Sequence, residues 1–302
     1  MENPIPEFLI EMLNKQYGKD VVNKIIEGYA INRAVTLRVN TLKTNVENVK
    51  EALDKKNIKF ETVSWSKEAI VLKDVKESDI RKLDIYINGE IYLQSLSSMI
   101  PAIVLEPKEG ENILDMAAAP GGKTTQMAAI SNGKALITAC EKNKIRAERL
   151  KYNIQKQGAS RVNVLVEDAR QLNEYFSFDK ILLDAPCSGS GTISITDVNV
   201  NKIFTKELIE RSIKIQRNLL QKAIKILKPG QEMVYSTCSI LKEENEENIK
   251  ALLNKGNIEI VPINKEIFET LPLLPVTLDG TICICPNELY EGFFVAKIRK
   301  IA

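Results

Sequence analysis

The chain has 302 residues, 44% of them hydrophobic and 27% charged, with a formal net charge of +2, which describes a globular protein of one large domain or two smaller ones and announces no polyanionic partner. No apolar run reaches membrane-spanning length, the start MENPIPEFLIEML carries acids where a secretion signal carries lysines, and five scattered cysteines make no disulfide scaffold, so the expected compartment is the reducing cytoplasm. The chain has no histidine, which excludes Ser-His-Asp and Cys-His catalysis and histidine metal sites and leaves any chemistry to Cys, Asp, Glu, Lys, Tyr or a cofactor.

Residues 4–28 read as two helices. Pro6 opens the first, with Phe8, Leu9, Met12, Leu13 and Tyr17 at helical spacing; Gly18 interrupts, and Val21, Val22, Ile25, Ile26 and Tyr29 continue the pattern. They read as a small helical cap on a core. Residues 34–42 alternate apolar and polar and predict a strand. Thr44-Asn45 caps a helix carrying Val46, Val49 and Leu53, and two more strands follow at 58–63 and 69–73. Strand, helix, strand, strand is a small α+β module. Arg33, Arg38, Lys43, Lys55, Lys56 and Lys59 are scattered through it, as a solvated surface or a shallow RNA-binding face. A further strand at 91–94 and a helix from 95 to 105 place a domain boundary near residue 93. Residues 1–92 form the helical and α+β module, and 93–302 a second domain.

That second domain is organised around residues 113–125, ILDMAAAPGGKTT. A short apolar strand, a loop of small residues and the start of a helix make the local architecture of a nucleotide-binding crossover. Ala117 and Ala119 stand where a dinucleotide fingerprint has glycines, and Ala117 stands where a P-loop has its first glycine, so neither motif is met. From here strands and helices alternate, which predicts a parallel sheet covered on both faces, an α/β fold. Strands at 113–116, 135–140, 162–165 and 178–183 end in Asp115, Glu141, Asp168 and Asp184. Ligands of open α/β sheets lie outside the carboxyl ends of the strands, so four acids in succession favour a hydroxyl-rich or cationic ligand. Glu141 follows Gly121 at the spacing of a ribose-binding acid, and is equally a helix N-terminal acid favoured by the dipole.

Asp184-Ala185-Pro186-Cys187-Ser188-Gly189-Ser190-Gly191 makes neither helix nor strand and reads as a loop on the same edge. A long helix at 206–228 and a turn at Pro229-Gly230 lead to a fifth strand at 232–236, which ends in Thr237-Cys238-Ser239. The acidic helix at 243–253 reads as a solvated face. Strands at 282–285 and 292–298 read as an antiparallel edge pair, with Cys283 and Cys285 as packing residues, and no metal site is expected. Two thiols, Cys187 and Cys238, therefore lie on loops beside the expected ligand, where one of them reads as a nucleophile. A thiol reacts as thiolate, and without histidine its activation would come from Lys123 or from a cationic cofactor.

AAAPGGKTTQMA, DAPCSGSGT and YSTCSI, in that order, resemble the Sun (RsmB-like) family of RNA cytosine-5 methyltransferases, as do GEIYLQSLSSMIP and the closing EGFFVAKIRK. The likeness runs from about residue 34 onward. It implies a Rossmann-like class I methyltransferase sheet behind a small RNA-recognition-like module, and S-adenosylmethionine as cofactor. Ala117, Ala118, Ala119, Pro120, Gly121, Gly122 and Lys123 would hold the cofactor's methionine part, Glu141 its ribose, Asp168 its adenine edge, and Asp184 the region of the methyl donor. The family's Thr-Cys motif falls on Cys238 as nucleophile, and its Pro-Cys motif on Cys187, in product release. Asp184 and Lys123 complete the catalytic set. The expected substrate is a single-stranded or loop cytosine of a tRNA or rRNA, and the expected state a monomer without metal. Ala117 departs from the family, whose cofactor loop usually opens with Cys. A DNA cytosine-5 enzyme would instead attack through the Pro-Cys thiol.

Overall fold

The computed structural model describes residues 5–197, 200–264, 266 and 268–301; residue 4, the predicted start of the first helix, lies outside them. Helices α1 (Glu7–Tyr17) and α2 (Lys19–Ala30) are parted at Gly18. Their apolar stripes, Leu9 and Leu13 on one and Val22, Ile25 and Tyr29 on the other, are buried in one core with Phe178, Leu220 and Tyr235. Tyr17 Oη donates to the Ile240 carbonyl at 2.6 Å, and Tyr29 Oη donates to that of Ser190. Both helices thus pack on the large sheet, as a cap. The grouping of all of 1–92 into one module does not describe their packing.

The module closes over its own smaller core, Leu37, Val39, Val49, Leu53, Ile70, Leu72, Ile80 and Ile91. It comprises β1 (Thr36–Val39), α3 (Val46–Asp54), β2 (Phe60–Val63), β3 (Ser66–Leu72), the short helices α4 (Glu77–Ile80) and α5 (Asp84–Ile87), and β4 (Ile91–Leu93). The strands form an antiparallel sheet in the order β2-β3-β1-β4. Asn45 caps α3, its Oδ1 accepting the Asn48 N–H at 2.8 Å. Helix α6 (Leu96–Leu105) leads out of the module, capped by Ser95, and packs against the large sheet.

That sheet begins with β5 (Asn112–Asp115), α7 (Gly122–Ile130), β6 (Leu136–Cys140), α8 (Lys144–Gln157), β7 (Val162–Leu165) and β8 (Phe178–Asp184). It continues through α9 (Val200–Ile203), α10 (Lys206–Ile226), β9 (Leu227–Thr237), α11 (Glu246–Leu253), β10 (Ile258–Val261), β11 (Leu273–Leu274), β12 (Ile282–Ile284) and β13 (Phe293–Lys300). Its order is β11-β12-β13-β9-β8-β5-β6-β7, with β10 also on β13. Strands β5 to β9 run parallel, and β13 lies antiparallel on β9. The predicted closing pair is antiparallel, but β13 is internal, held between β9 and β12. Pro229 and Gly230 sit in an irregular start of β9, where the pairing with β8 shifts register, so α10 ends at Ile226. The strand order reverses between β5 and β8, and a crevice opens at such a switch point. Asp115 and Asp184 stand on either side of it.

Candidate active site

The site is built from the loops that follow the parallel strands. Asp115 ends β5 and is 1% exposed; its Oδ2 accepts from Thr124 Oγ1 at 2.7 Å. Burial pushes its carboxyl up to about 6, against the hydrogen bond from Thr124 and the charge of Lys123. The loop from Ala117 to Gly122 has no side chain larger than proline. Gly121 carries φ +109°, a left-handed backbone open to glycine and strained for other residues, and this bend starts α7 at Gly122. The loop carbonyls of Ala119 and Pro120 accept from Arg146 Nη2 and Asn153 Nδ2, both at 2.8 Å.

Lys123, in the first turn of α7, places Nζ 2.7 Å from Asp184 Oδ2 and donates to Ser98 Oγ at 2.7 Å. It also lies 5.3 Å from the Phe293 ring centroid. Asp184 Oδ1 accepts from Ser236 Oγ at 2.8 Å. Among the described residues no hydrogen bond or ion pair joins Lys123 to a sulfur, so its charge is committed to Asp184. Around these groups lies a cavity of about 220 Å³, lined by Gln94, Ser98, Asp115, Lys123 and Asp184 among others. On the far side of Ala117 a smaller hollow of about 50 Å³ holds Glu141 and Asp168. Glu141 is buried, with Oε1 accepting the Asn143 N–H at 2.8 Å and Oε2 3.3 Å from Arg146 Nη1. Asp168 is gripped by Arg170 through both oxygens, and that bond holds its carboxyl below the usual range.

Cys187 and Cys238 meet at the carboxyl ends of β8 and β9, Sγ to Sγ 3.1 Å. The two loops are stitched together: Gly191 N–H donates to the Cys238 carbonyl at 2.9 Å, and Ser190 Oγ lies 2.8 Å from Ser239 Oγ. A Cβ at Gly191 would stand 2.0 Å from the Gly292 carbonyl oxygen, so the backbones approach as only glycine permits. The hydrogen bond to Cys238, burial and the charge of Glu244 hold the Cys187 thiol well above its usual range. Cys187 is therefore a proton-bearing thiol at neutral pH.

The predicted residues thus fall into two groups around Ala117, with Asp115, Lys123, Asp184 and the thiols on one side and Glu141 and Asp168 on the other. Sequence reasoning missed Ser98, Ser236, Arg146 and Arg170, which reach the site through side-chain contacts alone. It also misread the acidic stretch before α11 as solvated. Glu244, Asn245, Glu246 and Asn248 are buried, and Glu244 bonds to both cysteine loops. The legible signal was Asn248, on the side of α11 that also carries the buried Ile249 and Leu252, with Glu244 in the turn just ahead of that helix.

A switch-point crevice at the carboxyl edge of a parallel sheet, closed by an antiparallel β13, with a loop of small residues and an acid after strand upon strand, defines the Rossmann-like class I methyltransferase fold. The chain belongs to the RsmB/F family. The profile described as 16S rRNA methyltransferase RsmB/F matches residues 102–299, and that of the RsmF/B-like ferredoxin-like domain matches residues 5–77. The chain is 36% identical over 275 residues to a tRNA (cytosine(49)-C(5))-methyltransferase of Pyrococcus abyssi, covering 88% of each. It is 36% identical over 284 residues to ribosomal RNA small subunit methyltransferase F of Shewanella loihica, covering 88% of this chain and 56% of that one. Several curated relatives are longer, and the chain spans about two fifths to just over half of their length. The crystal structure of NSun6 from Pyrococcus horikoshii with SFG superposes with a TM-score of 0.89 at 27% identity, covering 100% of both chains.

Proposed function

We propose that this chain transfers a methyl group from S-adenosylmethionine to C5 of a cytosine in RNA, a tRNA or an rRNA. The observation that carries the reading is the pair of thiols 3.1 Å apart beside Asp184 on the switch-point edge. The substrate class comes from the family, whose relatives are named for tRNA and rRNA cytosine-C5 methylation, and the cofactor from the fold and from NSun6, solved with SFG, an analogue of S-adenosylmethionine.

The residues present fit that cofactor. The loop from Ala117 to Gly122 leaves backbone open to a ligand, and the hollows on either side of Ala117 offer acids where hydroxyls and a cation would lie. The methionine part rests on 117–123, the ribose on Glu141, the adenine edge on Asp168, and the methyl donor near Asp184. Bound there, the cofactor supplies an electrophilic methyl group. The rest falls to the chain. Cytosine C5 is a weak nucleophile, and the Cys238 thiolate adding at C6 moves electron density onto it. Asp184, oriented by Ser236 and Lys123, accepts a hydrogen bond from the protonated N3 or from the exocyclic amine and stabilises the adduct. Cys187, carrying its proton, then assists elimination by positioning a water that takes up the C5 proton, before Cys238 leaves C6. The base must leave its stack to meet Cys238 edge-on, so a single-stranded or loop cytosine is required.

The path for the RNA fits the groove beside the site. A cleft of about 370 Å³ shares Tyr92, Leu93 and Pro120 with the active-site cavity and is lined by Arg81, Arg149, Lys156 and Tyr86. Its cations gather from the α+β module and from α8, an arrangement suited to phosphates. The test is methyl transfer to RNA and to DNA of one sequence. Labelled 5-methylcytosine in the RNA alone is expected, and label in the DNA alone would overturn the reading. Bisulfite mapping of cellular RNA with and without the gene names the target.

A further inference from the structure

The carboxylate of Glu244 is fully buried and belongs to neither cysteine motif. Four donors converge on it. Ser188 gives its N–H at 2.8 Å and its Oγ at 2.5 Å, Ser239 its Oγ at 2.6 Å, and Gln216 its Nε2 at 3.1 Å. Ser188 and Ser239 are the residues directly after Cys187 and Cys238. Gln216 also donates to the Pro186 carbonyl at 3.0 Å, so the residue before Cys187 is tied into the same cluster. The Glu244 backbone is itself pinned, its carbonyl accepting from Tyr235 Oη at 2.5 Å and Asn248 Nδ2 at 2.9 Å. A buried carboxylate with four donors and, among the described residues, no cation in contact is a costly element to keep for packing alone.

We propose that Glu244 is the positioning residue of the reaction: it fixes the two cysteine loops against each other and sets its charge beside Cys187. The second half of this rests on the reading that Cys238 attacks and Cys187 serves release. The titratable or charged groups facing Cys187 are Cys238 and Tyr235, at the end of β9, and Glu244 ahead of α11. Glu244 is the carboxylate among them, no ion pair joins it to a cation among the described residues, and its field opposes a thiolate at Cys187.

Two variants separate its two effects. In Glu244→Gln the amide oxygen still accepts from Ser188 N–H and Gln216, while its NH2 donates to the serine hydroxyls, so the frame stays and the charge goes. In Glu244→Ala both go. The first measurement needs no RNA: iodoacetamide alkylation of Cys187, followed by peptide mass spectrometry across pH in a Cys238→Ala background. The Gln variant should alkylate severalfold faster at neutral pH, with its midpoint moved down. The second is steady-state methyl transfer by the full chain. Glu244→Ala should lose about 100-fold in kcat with KM for RNA and cofactor affinity held, as a misplaced nucleophile does, while Glu244→Gln recovers most of the rate and shifts the pH profile. An unchanged Cys187 alkylation profile in the Gln variant overturns the proposal, as does wild-type kcat in the Ala variant. If the Ala variant does not fold, the Gln variant decides alone. A wild-type protein that fails to methylate RNA would refute the functional reading while leaving the alkylation result standing.

Discussion

Cys187 and Cys238 are held by partners that water does not reach, namely Glu244, Gln216, Ser190, Ser239 and the backbone of Gly191. Glu141 and Asp168, on the same edge of the same sheet, are held by Arg146 and Arg170, whose side chains are 53% and 35% exposed. Ion pairs of that kind contribute little and exchange readily with solvent or with a ligand. The contrast matches the tasks proposed for the two regions. A nucleophile and the thiol that serves release must be in place before substrate arrives, because small misplacements cost rate steeply. A cofactor pocket has to open, and acids gripped by half-exposed arginines can release them to ribose hydroxyls or an adenine amine.

The sharpest way to break the rigid half is to remove its nucleophile. Cys238→Ala should abolish methyl transfer and form no covalent RNA species, read by label transfer and denaturing gels; residual turnover would move the attack elsewhere. The rigid half also carries a pH signature. The Asp115 carboxyl titrates near 3.9 when unfolded and at about 6 when folded. Between these values the folded chain holds the extra proton, so the contribution of Asp115 to stability falls as pH rises from about 4 to about 6 and then levels. Asp115→Asn lacks that loss, and its unfolding free energy should gain about 2 kcal/mol on wild type between pH 4 and pH 7. Parallel denaturant curves at both pH values would check this; a constant difference would mean that Asp115 does not titrate in that window.

The adaptable half should respond more gently. Glu141→Ala should weaken cofactor binding by roughly 1.5–3 kcal/mol, measured by calorimetry, without changing the spacing of the thiols. An unchanged affinity would take Glu141 out of the pocket. Smaller still, replacing Arg149 and Lys156 by alanine should weaken RNA binding and flatten its salt dependence by about one to two counterions, with cofactor affinity unchanged. A salt slope equal to wild type would route the RNA elsewhere. Removing residues 1–92 does not make a clean version of this test, because α1 and α2 are part of the large sheet's core.

What could be read in the sequence was whatever lies close along the chain. The strands ending in Asp115, Glu141 and Asp184 follow from local periodicity. Cys187 stood out because Pro, Ser and Gly beside it forbid helix and strand, and Cys238 because it follows the end of the fifth strand. The network around Glu244 was hidden for the opposite reason. Its partners are 56 residues away at Ser188 and 28 away at Gln216, and an acid-rich segment looks solvated until the fold folds it inward. The packing of α1 and α2 was hidden likewise: an amphipathic stripe says that a face is buried, and not against what.

The central claim is that the two thiols, adjacent in space, do different work, and the most direct measurement is the covalent species formed by Cys187→Ala. Incubated with RNA and S-adenosylmethionine, that variant should accumulate a protein–RNA adduct that survives denaturing electrophoresis and whose RNA carries the new methyl group. The double variant Cys187→Ala/Cys238→Ala should form none. An adduct that persists in Cys238→Ala and vanishes in Cys187→Ala would reverse the assignment and make Cys187 the nucleophile.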